Sequence, residues 1–382
     1  MKTQSNGNAI PETLKFSIHA KKKLLSFVFP LAAALLLVSA FPRLAQAEGE
    51  GGAFLPDQVR VVSTVPPNGD VNPYGVAFVP PHFPLGGGAN PGDILVSNFN
   101  SNQNLQGTGT TITRVTPNAA PTVFFQGQAG LGLSTALNIL REGFVLVGNF
   151  PSPDGTCGSA APGSILIINS NGLQISSITN SSWINGPWDS TLFDQGNVAK
   201  FFIANGLTGT IVRLDLKIGP GGVSVAGASQ IASGYTHVCD AVTFVDAPTG
   251  LVYDPKTDIL YVASTADNAI YAIADAGDRK QDSGMGKLIY SDPLHLHGPL
   301  GMVRAPNGHL IVANNDAINP DPNQTSEVVE FTIGGEFVKE ISMDPNGGGS
   351  FGLAISVSGD KAQFAAVDDN VNDLLIWPIS LD

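Results

Sequence analysis

The chain of 382 residues carries 32 acidic and 19 basic side chains, a net charge of −13, so its surface repels nucleic acid and anionic membranes. It has no basic stripe with interleaved aromatics and no C-x-x-C zinc pattern, only two distant cysteines, Cys157 and Cys239. With 44 glycines, 27 prolines and no helix-period segment of useful length after residue 50, it reads as a chain of short strands and tight turns.

The first 47 residues read as a signal peptide. Lys21-Lys22-Lys23 precede the apolar stretch Leu24–Phe41, and Ala45-Gln46-Ala47 gives a small-residue cleavage site. Cleavage there predicts a secreted or periplasmic protein. The alternative is a retained membrane anchor, because the apolar stretch is long enough to span a bilayer. Removing 1–47 leaves 13 basic and 31 acidic residues, a net charge of −18. Residues 48–57 read as a linker.

Residues 58–382 repeat one pattern six times. First apolar runs begin at Gly75, Ala136, Asp189, Gly250, Gly301 and Gly352, with steps of 61, 53, 61, 51 and 51 residues. Second runs follow, each bounded by turn residues: Ile94–Asn98, Phe144–Asn149, Phe201–Asn205, Ile259–Ser264, Leu310–Asn314 and Phe364–Asp368. Their β-branched and aromatic content reads as buried strands. Third runs start at Thr110, Ser164, Thr210, Ala269, Glu327 and Asp373. Fourth runs are Thr122–Gln126, Leu173–Ile178, Lys287–Asp292, Glu336–Ile341 and, less sharply, a stretch within Val223–Ile231. A period of this size with strand content predicts an all-β, six-bladed propeller. The last repeat lacks its fourth strand, and Gln58–Val65 precedes the first. Val59–Val65 is therefore expected to complete the last blade and close the ring, removing an exposed edge.

In a propeller, the starts of the inner strands and the ends of the second strands share one face, here called upper. The second strands end in Asn98, Asn149, Asn205, Ser264, Asn314 and Asp368, a near-continuous ring of amides and acids. Asn and Asp also favour strand ends for conformational reasons, so the ring has a structural reading as well. Tyr74, Thr135, Trp188, Thr249, Leu300 and Phe351 lead the inner strands, with Asp189 the one acid at the repeat mark. Apolar walls with a few convergent polar groups suit a small-molecule site; the same aromatics could equally plug the channel.

Two cation options follow. His295 and His297 have alternate spacing and, with Asp189, could hold zinc. The loops Asn314–Asp316 to Asp321 and Asn323, and Asp368–Asn370 to Asp373, offer hard oxygen ligands for calcium. Cys157 lies in a loop of blade 2 and Cys239 in the connection from blade 3 to blade 4, on the same face, where a disulfide and two free thiols are both open. No G-x-S-x-G elbow or phosphate loop is present.

The segments from Ala247 to Ala263 and from Gly298 to Asn314 carry a P-x-G turn before the inner strand and an L-Y/I-V-A second strand, and Asn72-Pro-Tyr-Gly-Val-Ala-Phe repeats the turn and inner strand. In this the chain resembles the NHL-repeat and senescence-marker/gluconolactonase-type propellers. The resemblance implies a six-bladed ring and, for the lactonases, a divalent metal held by a Glu, two Asn and an Asp. Two of the matching positions here carry Thr249 and Leu300, which leaves Asp189, Asn149 and Asn205 as a partial set. The expectation is a monomer binding a small molecule, a protein or a glycan on the upper face. The candidate contacts are Tyr74, Trp188, Asp189, Phe351, Asn98, Asn149, Asn205, Asn314, Asp368 and His297. The alternative is a metal-dependent lactonase, hydrolase or lyase acting in the channel.

Overall fold

A computed structural model describes residues 54–55, 59–116 and 119–381. Residues 1–47, read from sequence as a signal peptide, lie outside them. No helix among the described residues is long and apolar enough to cross a membrane.

Six four-stranded antiparallel sheets surround a common axis. Their inner strands are Val71–Phe78, Leu133–Leu140, Pro187–Asp194, Pro248–Asp254, Pro299–Arg304 and Ser350–Ser358. Each inner strand touches the next, and the last touches the first, so the ring is continuous. The second strands are nearly all buried, as their composition predicts. The outer strands are exposed or half-buried over most of their length. Blade 3's outer strand, the vague one in sequence, runs Gly222–Ser233 and follows its partner through two register shifts.

The ring closes through the N-terminal strand. Arg60–Ser63 pairs antiparallel with Asp373–Ile376, so the last blade takes its outer strand from the start of the chain. Phe54 and Leu55, expected in a linker, are instead buried. Their amides donate to the Glu330 carboxylate at 2.8–3.2 Å, and Lys339 Nζ donates to the Leu55 carbonyl at 2.8 Å.

The core lies between blades. Leu95, Ile112 and Phe125 of blade 1, for example, pack with Leu137, Val145 and Leu166 of blade 2. Each such side chain stabilises the fold by about 1.5–3 kcal/mol. Near the axis the inner strands approach so closely that some positions admit no side chain. A Cβ on Gly352 would lie 1.9 Å from the Tyr74 carbonyl, and one on Gly301 would lie 2.4 Å from that of Phe351.

Every inner strand is also irregular near its upper end. Register shifts fall between Pro73 and Gly75, Leu133 and Leu137, Pro187 and Asp189, Pro248 and Leu251, Pro299 and Met302, and Ser350 and Leu353. A bulge re-aims a side chain out of the regular alternation. Here it sets Tyr74, Trp188 and Phe351 against one another on the axis.

Beside a 3-10 turn at Cys157–Ser159, a hairpin lies outside the six-blade expectation among the described residues. Val238–Asp240 and Phe244–Asp246 form this hairpin between blades 3 and 4. Cys239 in this hairpin is disulfide-bonded to Cys157 of blade 2, with the Cα atoms 5.4 Å apart. Phe244, at φ 69°, joins the axial aromatics.

Candidate functional site

The aromatics form a plug across the axis. Trp188 is fully buried and packs on Tyr74, Phe99, Phe150, Phe244 and Phe351, with ring centroids 5.2–6.4 Å apart. Tyr74 and Phe351 stack at 3.7 Å. Phe99 and Phe150 follow directly on Asn98 and Asn149, and sequence reasoning stopped one residue short of both.

The plug separates two cavities. Above it opens a cup of about 490 Å³ floored by Tyr74 and Phe351. Below it runs an axial channel of about 350 Å³, lined by the middles of the inner strands, including Asp189, Ser190, Thr135 and Asn138. Trp188 and Asp189, expected together at one rim, are thus parted: the indole seals the plug, and the carboxylate lies in the channel. Burial pushes the Asp189 carboxyl up to about 8, although it accepts the Ser190 N–H at 2.6 Å. Ser190, Thr135 and Asn138 surround it in the channel.

The amide ring does not line the cup. Asn149 Oδ1 accepts the Gly132 N–H at 2.9 Å, and Asn205 Oδ1 accepts that of Asn185 at 2.9 Å. Asn314 Nδ2 donates to the His295 carbonyl at 2.9 Å, and Asn98 Nδ2 donates to Thr113 Oγ1 at 3.2 Å. In blades 2, 3 and 5 the amide ties the end of a second strand to the segment leading into that blade's inner strand. Buried backbone groups need such partners, which explains the residue type. Asp368 accepts the Asn370 N–H at 3.2 Å, and burial with nearby Asp344 raises its carboxyl to about 6.

The cup draws its polar wall from loops. Asn100, Asn102, Asn104 and Gln106 come from blade 1, Asn315 from blade 5, and Asp369, Asn370 and Asn372 from blade 6. Val242 and Thr243 of the extra hairpin complete it, with Gln106 Nε2 donating to the Val242 carbonyl at 2.8 Å. Asn72, Asn104 and Asn372 have φ of 54–64°, a backbone state asparagine tolerates. The other amides have no such backbone reason. Asn100 Oδ1 and Gln106 Oε1 are buried without a hydrogen-bond partner. Asp369 is raised to about 8 by burial and by Asp368 beside it. Among the described residues no Lys, Arg, His or Glu lines the cup, and Asp369, whose carboxyl is raised, is its one carboxylate.

The residues near the axis do not suit the metal that the lactonase resemblance implies. The side-chain oxygens of Asn149 and Asn205 are engaged by backbone N–H groups. Thr249 Oγ1 donates to the Ala247 carbonyl at 2.9 Å, and Leu300 is buried hydrocarbon.

The histidines are also parted. His295 stacks on Phe337 at 3.8 Å and meets Asp292 at 2.7 Å, whereas His297 is buried with Nδ1 3.0 Å from Glu327 Oε1. The cluster that forms is His297, Asp316 and Glu327, not His295, His297 and Asp189. Burial and the nearby Asp316 charge push the Glu327 carboxyl up to about 7. Glu327 begins the third strand, where blades 2 and 3 carry Ser164 and Thr210, both hydrogen-bonded to their blade's strand-end amide. A glutamate there, where three blades carry Ser or Thr, was the available sequence signal.

In the acidic loops, Asp321 and Asp368 each accept the backbone N–H two residues on, at 2.8 and 3.2 Å, which is turn chemistry.

Compared by sequence, the chain matches no family profile and no curated protein. Among solved structures it is similar to an oxidoreductase described as a glucose dehydrogenase, from Thermus thermophilus. That match has 14% identity and a TM-score of 0.48 over 84% of this chain and all of that one. A luciferin-regenerating enzyme matches at 10% identity and TM-score 0.48, over 85% of this chain and 95% of its own. A protein described as a gluconolactonase matches at 12% and 0.47, over 86% and 94%. At these identities the likeness concerns fold alone, and the six blades are assigned from the strand pairing itself.

Proposed function

We propose that the protein is a binding propeller whose upper cup takes a neutral, polyhydroxylated ligand, a saccharide or the end of a glycan. The carrying observation is the cup's lining: amide side chains in place of charges, above the stacked Tyr74 and Phe351 rings. An amide both donates and accepts, as does a sugar hydroxyl. Tyr74 and Phe351, stacked on each other, close the floor with apolar surface, so the polar recognition falls to the amide wall. The buried, partnerless acceptors Asn100 Oδ1 and Gln106 Oε1 add capacity for hydroxyl donors once the loop adjusts around a ligand. A neutral Asp369 could donate as well as accept. The net charge of the chain, −13, disfavours anionic ligands in the same place. Export fits this reading, since extracellular and periplasmic compartments are where free saccharides and glycans are met.

The test is a screen of the purified protein against neutral and acidic saccharides, followed by calorimetry on the best ligand. Asn102 and Asn104 are exposed on the cup wall, so the double variant Asn102→Ala/Asn104→Gly should fold, glycine being chosen to suit the φ of 54° at residue 104. Binding should weaken about tenfold, the loss of one or two net hydrogen bonds. A preference for acidic ligands, or no saccharide binding at all, would overturn the reading.

A further inference from the structure

We propose that His297, Asp316 and Glu327 form a binding site for a divalent transition-metal ion, zinc by ligand type, on the upper side of blade 5. The site lies off the axis and stands independently of the saccharide reading.

Three separate segments supply it. His297 lies in the connection from blade 4, Asp316 in the loop after the second strand, and Glu327 at the start of the third. One ligand atom from each lies within 4.8 Å of the others. Tetrahedral zinc with bonds of about 2.0–2.2 Å sets its ligands about 3.3–3.6 Å apart, so small side-chain rotations close the site. The His297 Nδ1 to Glu327 Oε1 separation, 3.0 Å, is already near that spacing.

The carboxylates are set up for a further partner. Asp316 Oδ2 is held by the N–H groups of Ser326 at 2.8 Å and Gly348 at 3.0 Å, while its Oδ1 is buried without a partner. The Glu327 side chain is 1% exposed, and its Oε2 is likewise buried and unpartnered. Two orphaned carboxylate oxygens beside one imidazole are costly unless a cation joins them. The backbone bonds to Asp316 supply the outer-shell orientation that metal ligands usually have. One nitrogen and two oxygens suit zinc or a neighbouring transition ion better than calcium, which takes six or more oxygens. Asn315 and Gly348 line the cup, so an ion here would also brace that wall from behind.

Calorimetric titration of chelator-stripped protein with zinc chloride, and separately with calcium chloride, tests this. The parent should bind one equivalent of zinc and no calcium at the same concentrations. Glu327→Gln keeps the shape and removes a buried charge, so it should fold. Both Glu327→Gln and His297→Gln should weaken zinc binding by more than about 100-fold, beyond what outer-shell changes cost. A His82→Gln/His237→Gln control, altering histidines outside the cluster, should bind as the parent does. No stoichiometric zinc binding in the parent would overturn the proposal. So would parent-like affinity in Glu327→Gln, or calcium binding as tight as zinc.

Discussion

Trp188 offers the sharpest test of how the ring is held at its centre. It has no exposed surface and touches five other aromatic rings, two of them from the inner strands of blades 1 and 6 across the axis and one from the extra hairpin. Truncating a buried Trp to Ala costs about 3–5 kcal/mol. Aromatic pairs add about 0.5–1.5 kcal/mol each beyond their area, so the upper end of that range, about 5 kcal/mol, is expected. Trp188→Phe should behave differently. The indole Nε1 is buried with no hydrogen-bond partner, an arrangement that costs about 1–3 kcal/mol. Phenylalanine removes that cost while leaving a small void, so the two changes offset to within about 1.5 kcal/mol. Guanidinium unfolding of parent and both variants, read as midpoint shifts at constant slope, measures these differences. If Trp188→Ala lost under about 1 kcal/mol while saccharide binding vanished, the indole would be a ligand contact and the plug argument would fail.

Two further outcomes follow from the same centre. The folded Asp189 carboxyl ionises near 8, above the unfolded value of about 4. Across that window the native state keeps a proton that the unfolded chain has lost, so stability falls as pH rises from about 4 to 8. Asp189→Asn should flatten this slope and raise stability at alkaline pH; parallel pH–stability curves for parent and variant would sink the assignment. The Cys157–Cys239 disulfide closes a separation of 82 residues, worth about 4.5 kcal/mol by chain entropy. Reduction should speed hydrogen exchange chiefly in Val238–Asp246 and weaken cup ligands, because Val242 and Thr243 form part of the wall. Uniform acceleration across the blades would show that the bond secures the ring rather than the hairpin.

The blades were legible because each second strand is a short β-branched run ending in an amide or acid, a local pattern that repetition amplifies. Closure was legible for the same reason, since one strand was missing at one end and spare at the other. The site was less so. Asn149 and Asn205 occupy positions that sequence alone assigns equally to a ligand or to a backbone N–H, and only the fold shows the N–H groups of Gly132 and Asn185 arriving there. The bulges that turn Tyr74, Trp188 and Phe351 toward one another leave no mark in composition. His297, Asp316 and Glu327 meet across a span of sequence with no fixed spacing, and the hairpin carrying Phe244 has strands of three residues each, too short for any periodicity.

The N-terminal closure also sets an order of events. Thr64 bonds to Asn372 across 308 residues of chain. Bringing those ends together in an unstructured chain would cost about 5 kcal/mol of loop entropy, with little local gain to offset it. Once the intervening blades have stacked, the gap is already narrow and that cost has largely been met by their own formation. Arg60–Ser63 leaves the ribosome before any of the strands it pairs with, and must wait unpaired while the other five blades assemble. The seam in the last blade should therefore be the final part of the ring to gain its hydrogen bonds and, under denaturant or pulling force, the first to give them up.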